Sequence, residues 1–327
     1  MNAIHRWLLR FKPYFLFIEW TKVLMLPGFK PLPLYTVAGF FFKELGKESL
    51  VNKASSLAYT FMLAIFPGII FLFTLIPYIP ISDFQEQLLS LMQMVLPKNA
   101  FLAVQTTLED IVRNQNAKLL SFGFFFALFF ATNGVHKLMI AFNKASLVNE
   151  NRSWWKQRIV ATILTFMIVF ALIFGLGIIT FGEYIAGLLR TKLGINKYFL
   201  ILVVELARWT TLTGLYFMTI SMVYKYGPAT RKKWKFFSAG SWLATVLAIL
   251  TFVGFAYYIN NFSTYNKLYG SIGTLIVMMI WMYINSLIIL IGFELNASIE
   301  LSKRSLRLVK PQLLRFRKNL GLKNQPK

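Results

Sequence analysis

IVATILTFMIVFALIFGLGIITF, residues 159–181, runs for 23 positions without a charged side chain. At 1.5 Å per residue an α-helix of that length covers the roughly 30 Å hydrocarbon core of a bilayer. A soluble core helix has no use for such a stretch, because its outer face must meet water. Cutting the chain at its charges leaves five more candidates: 54–79, 119–138, 198–224, 236–259 and 271–293. The expectation is an all-α, polytopic bundle of six transmembrane helices in one domain, flanked by an N-terminal segment over 1–50 and a basic tail over 301–327.

Composition agrees. Of 327 residues, 57% are hydrophobic and only 14% charged, with a mean hydropathy of +0.59. Soluble domains carry about a quarter of their residues as charges. The formal charge is +23, from 35 Lys and Arg against 12 Asp and Glu. Such an excess would serve nucleic-acid binding or membrane topology, and its distribution decides. Residues 1–53, 137–158, 225–235 and 303–327 hold 27 of the cations, while the alternate loops hold seven, namely Lys98, Arg113, Lys118, Arg190, Lys192, Lys197 and Lys267. The rich side is therefore expected in the cytoplasm, with both termini there, anionic headgroups as partners of the basic loops, and no nucleic acid.

The N-terminal stretch mixes Trp7, Phe11, Tyr14 and Trp20 with Arg10, Lys12, Glu19 and Lys22, a pattern suited to the membrane surface rather than to a cleaved signal. One extracytoplasmic loop is long. Over 82–118, Phe84, Leu88, Leu91, Met92 and Val95, and after Pro97 Phe101, Val104, Leu108, Ile111 and Val112, fall at helical spacing, which predicts an amphipathic hairpin.

Further residues resemble a known family. The first span reads Ala54-Ser55-Ser56-Leu57-Ala58-Tyr59 and then Phe66-Pro67; the fourth holds Arg208-Trp209; Tyr224-Lys225-Tyr226-Gly227-Pro228, Trp234 and Ala239-Gly240 follow. The last block is the most distinctive: Asn261-Phe262, Tyr265-Asn266, Tyr269-Gly270-Ser271-Ile272-Gly273, Trp281, Tyr283 and Gly292-Phe293-Glu294-Leu295-Asn296. Together these resemble the YihY/BrkB family of bacterial inner-membrane proteins over about residues 50–300. The resemblance implies six transmembrane helices, a place in the inner membrane and links to envelope lipid handling. Some members once carried a ribonuclease BN label regarded as mistaken.

Catalysis finds little support in the residues. Metal-dependent phosphodiester cleavage needs clustered His and carboxylate ligands, but only His5 and His136 exist, and there is no cysteine. No catalytic residue, cofactor or metal site is expected. The sharpest local signal is Glu205 with Arg208, spaced to pair on one helix face deep in the fourth span. Such a pair either lines a functional cavity or locks helices together. Glu294, at the cytoplasmic end of the sixth span, opposes the helix dipole and needs a cationic partner or Asn296. Tyr265, Asn266, Tyr269, Gly270, Ser271 and Gly273 form the outer entry to that span, as a tight turn or an anion-receiving helix start. Pro67 with Gly68 interrupts the first span near mid-membrane, where Tyr59 shares its helix; the freed carbonyls either line a cavity or the helix carries a simple kink filled by a neighbour. Three functions follow: a transporter or lipid-translocation component, a membrane-embedded lipid-modifying enzyme, or a scaffold without transport activity. The mid-depth charges favour the first.

Overall fold

The computed structural model describes residues 12–25, 29, 32–46, 48–78, 86, 106, 109–110, 114–193, 197–229, 236–261 and 271–319. Among these the chain is all helical. Two short helices, α1 (Lys12–Val23) and α2 (Leu34–Leu45), precede six long ones: α3 (Glu48–Leu75), α4 (Ala117–Ala145), α5 (Trp154–Leu193), α6 (Lys197–Tyr226), α7 (Ala239–Asn261) and α8 (Ser271–Asn319). Five of the six, all but α6, are long and apolar enough to cross a membrane. Glu205 and Arg208 lie near the middle of the 30-residue α6 and lower its apolarity. The expected hairpin over 82–118 and the turn bearing Tyr265, Asn266, Tyr269 and Gly270 lie almost wholly outside the described residues.

Neighbouring helices run antiparallel. Gly123 approaches Phe71 at one end of the α3–α4 contact, Gly134 meets the Phe61 ring mid-way, and Lys137 bonds Thr60 beyond it. On α5 and α6, Gly175 faces Leu215 and Gly182 faces Arg208; on α7 and α8, Gly240 faces Gly292 and Phe255 faces Trp281. The first turns of α3, α5 and α7 therefore gather with the last turns of α4 and α6, at the cation-rich end. The fold is packed most tightly there. Phe142 and Phe293 stack at 4.1 Å between ring centroids, and Tyr224 meets both edge-on at 5.5 Å while its hydroxyl donates to the Ile289 carbonyl at 2.7 Å. Ala54, Leu57, Leu138, Leu164, Ala244 and Ala297 complete this core. At other depths the helices turn large apolar side chains outward, among them Phe125, Phe129, Phe170, Phe174, Leu206 and Val253. Lipid is the solvent that such a surface fits.

Threonines inside the helices satisfy themselves. Thr60, Thr74, Thr165, Thr219 and Thr245 each donate to the carbonyl four residues back, as a hydroxyl without water must. Three boundaries differ from expectation. First, α3 starts at Glu48, ahead of the expected span, and runs as one helix through Pro67 to Leu75, since one missing N–H forfeits one bond in a helix held along its length by α4. Second, α5 extends to Leu193, past the sequence cut at 181. Third, the basic tail is helical as far as Asn319, continuous with α8, since charges end an apolar span without ending a helix. The N-terminal segment docks on the bundle: Phe29, Leu32 and Val37 bury against Ile299 of α8, leaving Phe15, Leu16, Phe17, Trp20 and Val23 of α1 exposed.

Candidate functional site

A cavity of about 620 Å³ opens at the cation-rich end between α3, α4 and α8, with Glu44 of α2 at its edge. Its walls follow from helical spacing. On α3, Ser49, Asn52, Lys53 and Ser56 recur at i, i+3, i+4 and i+7; on α4, Lys137, Ile140, Ala141 and Lys144 do the same. Two stripes on antiparallel helices thus face one another. Glu294 closes the site from α8; it is 5% exposed, and its Oε1 lies 3.7 Å from Lys53 Nζ. Because α8 runs on to Asn319, Glu294 lies mid-way along it and no helix end acts on the carboxylate, contrary to expectation; the cation it meets is on α3 rather than in a loop.

Lys137 sits eight residues before the end of α4, about 12 Å inward along the axis. Its ammonium donates to Thr60 Oγ1 at 2.8 Å and to Ser56 Oγ at 3.5 Å. Thr60 accepts while passing its own proton to the Ser56 carbonyl at 2.7 Å. Among the described residues, neither Lys137 nor Lys144 meets a carboxylate. Three ammonium groups, at Lys53, Lys137 and Lys144, thus share the site with two carboxylates, Glu44 and Glu294.

Two clamps fix the loops and helices at this end of the bundle. Arg152 grips Glu150 through Nε and Nη2 at 2.8 and 2.7 Å and reaches the Gly227 carbonyl at 2.9 Å. Asn143 donates to Glu150 at 2.7 Å and accepts from the Ala229 amide at 2.8 Å. The loop after α4 is thereby tied to the loop after α6. The Arg152 guanidinium holds the Glu150 carboxyl below its ordinary value. The second clamp is a crossing without side chains. Gly240 of α7 lies so close to Gly292 of α8 that a Cβ on Gly240 would run into the Gly292 carbonyl oxygen. There Asn296 accepts from the Gly240 amide at 2.8 Å and donates to Ser238 Oγ at 2.9 Å.

The other expected residues are placed as follows. Glu205 and Arg208 pair at 3.4 Å, and Trp209 Nε1 also donates to Glu205 at 2.8 Å. Arg208 is tucked against Gly182 of α5, while the Glu205 side chain is 51% exposed on the outside of α6. They do not line the cavity above. Tyr59 is exposed and Pro67 half-buried on α3; neither lines it. Ser271 starts α8 and Gly273 is buried, on the far side of the bundle from Glu294. Asn296 is a structural partner of Gly240, not of Glu294. His136 shares a hydrogen bond of 2.9 Å with Gln157, beside Arg158, which reaches Asn133 at 3.4 Å. Lys53, Lys137 and Lys144 entered the sequence reading only as topology charges. The signal that marks them is the polar stripe Ser49, Asn52, Lys53, Ser56 and Thr60 at helical period.

A multi-pass helical bundle, densely packed at a basic end around Gly240, Gly292 and Asn296, is the class this geometry defines. The model of the "Virulence factor BrkB" family matches residues 41–312, and the chain belongs to this BrkB/YihY family of membrane proteins. Among similar proteins is the "Putative ribonuclease-like protein YfkH" of Bacillus subtilis, 32% identical over 268 residues, covering 81% of this chain and 96% of that one. A UPF0761 membrane protein of Haemophilus influenzae is 24% identical over 80% of this chain and 93% of its own length. One from Alteromonas mediterranea is also 24% identical, over 80% and 86%. No solved structure matches.

Proposed function

We propose that this chain is a six-span protein of the bacterial inner membrane, both termini cytoplasmic, that acts as a transporter or lipid-translocation component. Its substrate enters through the cavity between α3, α4 and α8. The observation that carries this reading is the cavity itself: about 620 Å³ of space with apolar walls and three lysines among its lining, the Lys137 ammonium set about 12 Å inward from the end of α4. Ionisable groups at membrane depth face interiors or water and mark substrate paths. The cation bias of the loops supports the orientation, and the antiparallel order of the helices supports α6 as a span beside the other five. Its 30 residues reach about 45 Å, and Glu205 and Arg208 offset each other's charge within it.

A scaffold is the second reading, favoured by the close-packed knot of Phe142, Tyr224 and Phe293. A lysine-lined hollow beside that knot has no purpose in a scaffold, and this tips the balance to transport. For the ribonuclease-like name of the Bacillus subtilis relative, the reading here is that this chain cuts no RNA, since His136 is engaged with Gln157.

The test is complementation. A null strain with an envelope or growth defect receives Lys137→Gln at matched membrane levels, beside the wild type and Lys225→Gln. Loss of rescue by Lys137→Gln alone is expected. Full rescue by Lys137→Gln and Lys144→Gln together would overturn the cavity as a substrate path.

A further inference from the structure

The proposed function leaves the substrate open, and the chemistry of the cavity narrows it. We propose that the cavity binds a phosphate-bearing anion, whose oxygens Lys137 and Lys144 take directly and which competes with Glu294 for Lys53. This rests on the reading of the cavity as a substrate site.

The charges come first. Lys137 and Lys144 meet no carboxylate among the described residues, and Lys137 gives only two of its three protons to hydroxyls. Among the described residues Lys53 has one carboxylate, at 3.7 Å, longer than the 2.7–2.9 Å of a good charged hydrogen bond. A dianionic phosphate presents three oxygens and suits several point-charge donors at once. The Ser56 hydroxyl and Asn52 amide add neutral donors to the same wall.

Size and surroundings follow. A lone phosphate fills little of 620 Å³, so the site has room for the group that carries it. At its flank Ile140 is 40% exposed and Leu147 73% exposed, apolar surface alongside which an acyl chain could lie. The shared chemistry is the phosphate, and a lipid headgroup and a free phosphate are its two sources.

The full chain, purified into nanodiscs of zwitterionic lipid, is titrated with inorganic phosphate and with short-chain phosphatidic acid, while tryptophan fluorescence is followed. Saturable binding by either supports the proposal. Binding of the lipid alone assigns the headgroup; equal binding of both assigns free phosphate. Lys137→Gln and Lys144→Gln each weaken binding by about tenfold or more, the usual loss when a charged donor to an anion is removed. Glu294→Gln strengthens it, because the competitor for Lys53 is gone. Among the described residues the Lys144 side chain makes no hydrogen bond, so Lys144→Gln carries the test if Lys137→Gln fails to fold. Lys225→Gln, whose ammonium lies over the Tyr226 ring at 5.3 Å, leaves binding unchanged. No saturable binding of either probe, or an equal loss on Lys225→Gln, overturns the proposal. If these results coincide with failed rescue by Lys137→Gln in cells, the phosphate assignment falls while the transport reading stands. Intact phosphate binding with full rescue by the double lysine variant sinks the transport reading instead.

Discussion

Replacing Gly240 by alanine probes the crossing that fixes α7 on α8. Its new methyl group would run into the Gly292 carbonyl oxygen and lie 2.7 Å from the Asn296 amide carbon and nitrogen. Backbone cannot rotate aside as a side chain does, so the helices must separate. Overpacking of this kind costs about 1–3 kcal/mol. Separation also stretches the 2.8 Å bond from the Gly240 amide to Asn296, worth about 1 kcal/mol. Against this stands a gain of at most about 1 kcal/mol from the better helix propensity of alanine. The balance is a loss of about 1–3 kcal/mol. Gly254 on the same helix has nothing within 4 Å of its would-be Cβ, so Gly254→Ala keeps the gain and meets no clash. Thermal unfolding in detergent, followed by tryptophan fluorescence, should place Gly240→Ala below the wild type and Gly254→Ala level with it or above. Equal midpoints for the two variants would refute the close crossing.

Other predictions concern the charges. Lys53→Met should destabilise the protein more than Glu294→Gln, by about 3 kcal/mol if Glu294 stays ionised, because the carboxylate left behind is the more buried partner at 7% exposure against 21%; the reverse order in unfolding midpoints would count against the pair. Glu205→Gln removes the charge that offsets Arg208 within α6 and should lower the unfolding midpoint, whereas Glu205→Leu with Arg208→Leu tests function: full complementation by this double variant reduces the two residues to packing. The Glu150 carboxyl is held below its ordinary value, about 4.3, so the loop clamp contributes stability at neutral and mildly acidic pH and loses it as pH falls through the lowered value. The stability gap between wild type and Glu150→Gln should therefore be flat from pH 7 to about 5 and close only in stronger acid; a gap that closes near pH 6 would contradict it. Purified protein freed of contaminating nucleases should leave precursor tRNA intact with Mg²⁺ or Zn²⁺, and turnover abolished by His136→Ala would reverse that reading.

Long uncharged runs announce themselves, which is why five of the spans are legible in the sequence. Boundaries are not, since a helix ends where its hydrogen bonds lack partners and not where lipid ends; α8 runs on to Asn319 through its basic stretch. Glu294 was legible as a carboxylate in need of a cation, yet its partner Lys53 lies on another helix, a distance that spacing along the chain cannot encode. Lys137 was harder. A lysine near a span end reads as a snorkelling loop charge, and only the facing hydroxyls of Ser56 and Thr60 turn it inward. Charges in an apolar run stand out, which marks Glu205 and Arg208, but the fold sets Glu205 on the outside of α6 and Arg208 against α5, away from the lysine-lined cavity.

Because the chain has no cysteine, single-cysteine variants report accessibility without background. The most direct measurement labels Ser56→Cys, on the cavity wall, with a membrane-impermeant thiol reagent in inside-out and right-side-out vesicles. A water-filled cavity open to the cytoplasm predicts rapid labelling in inside-out vesicles, slowed by Lys137→Trp filling the site, and none in right-side-out vesicles. A thiol that reacts from neither side, or only from the outside, would contradict it.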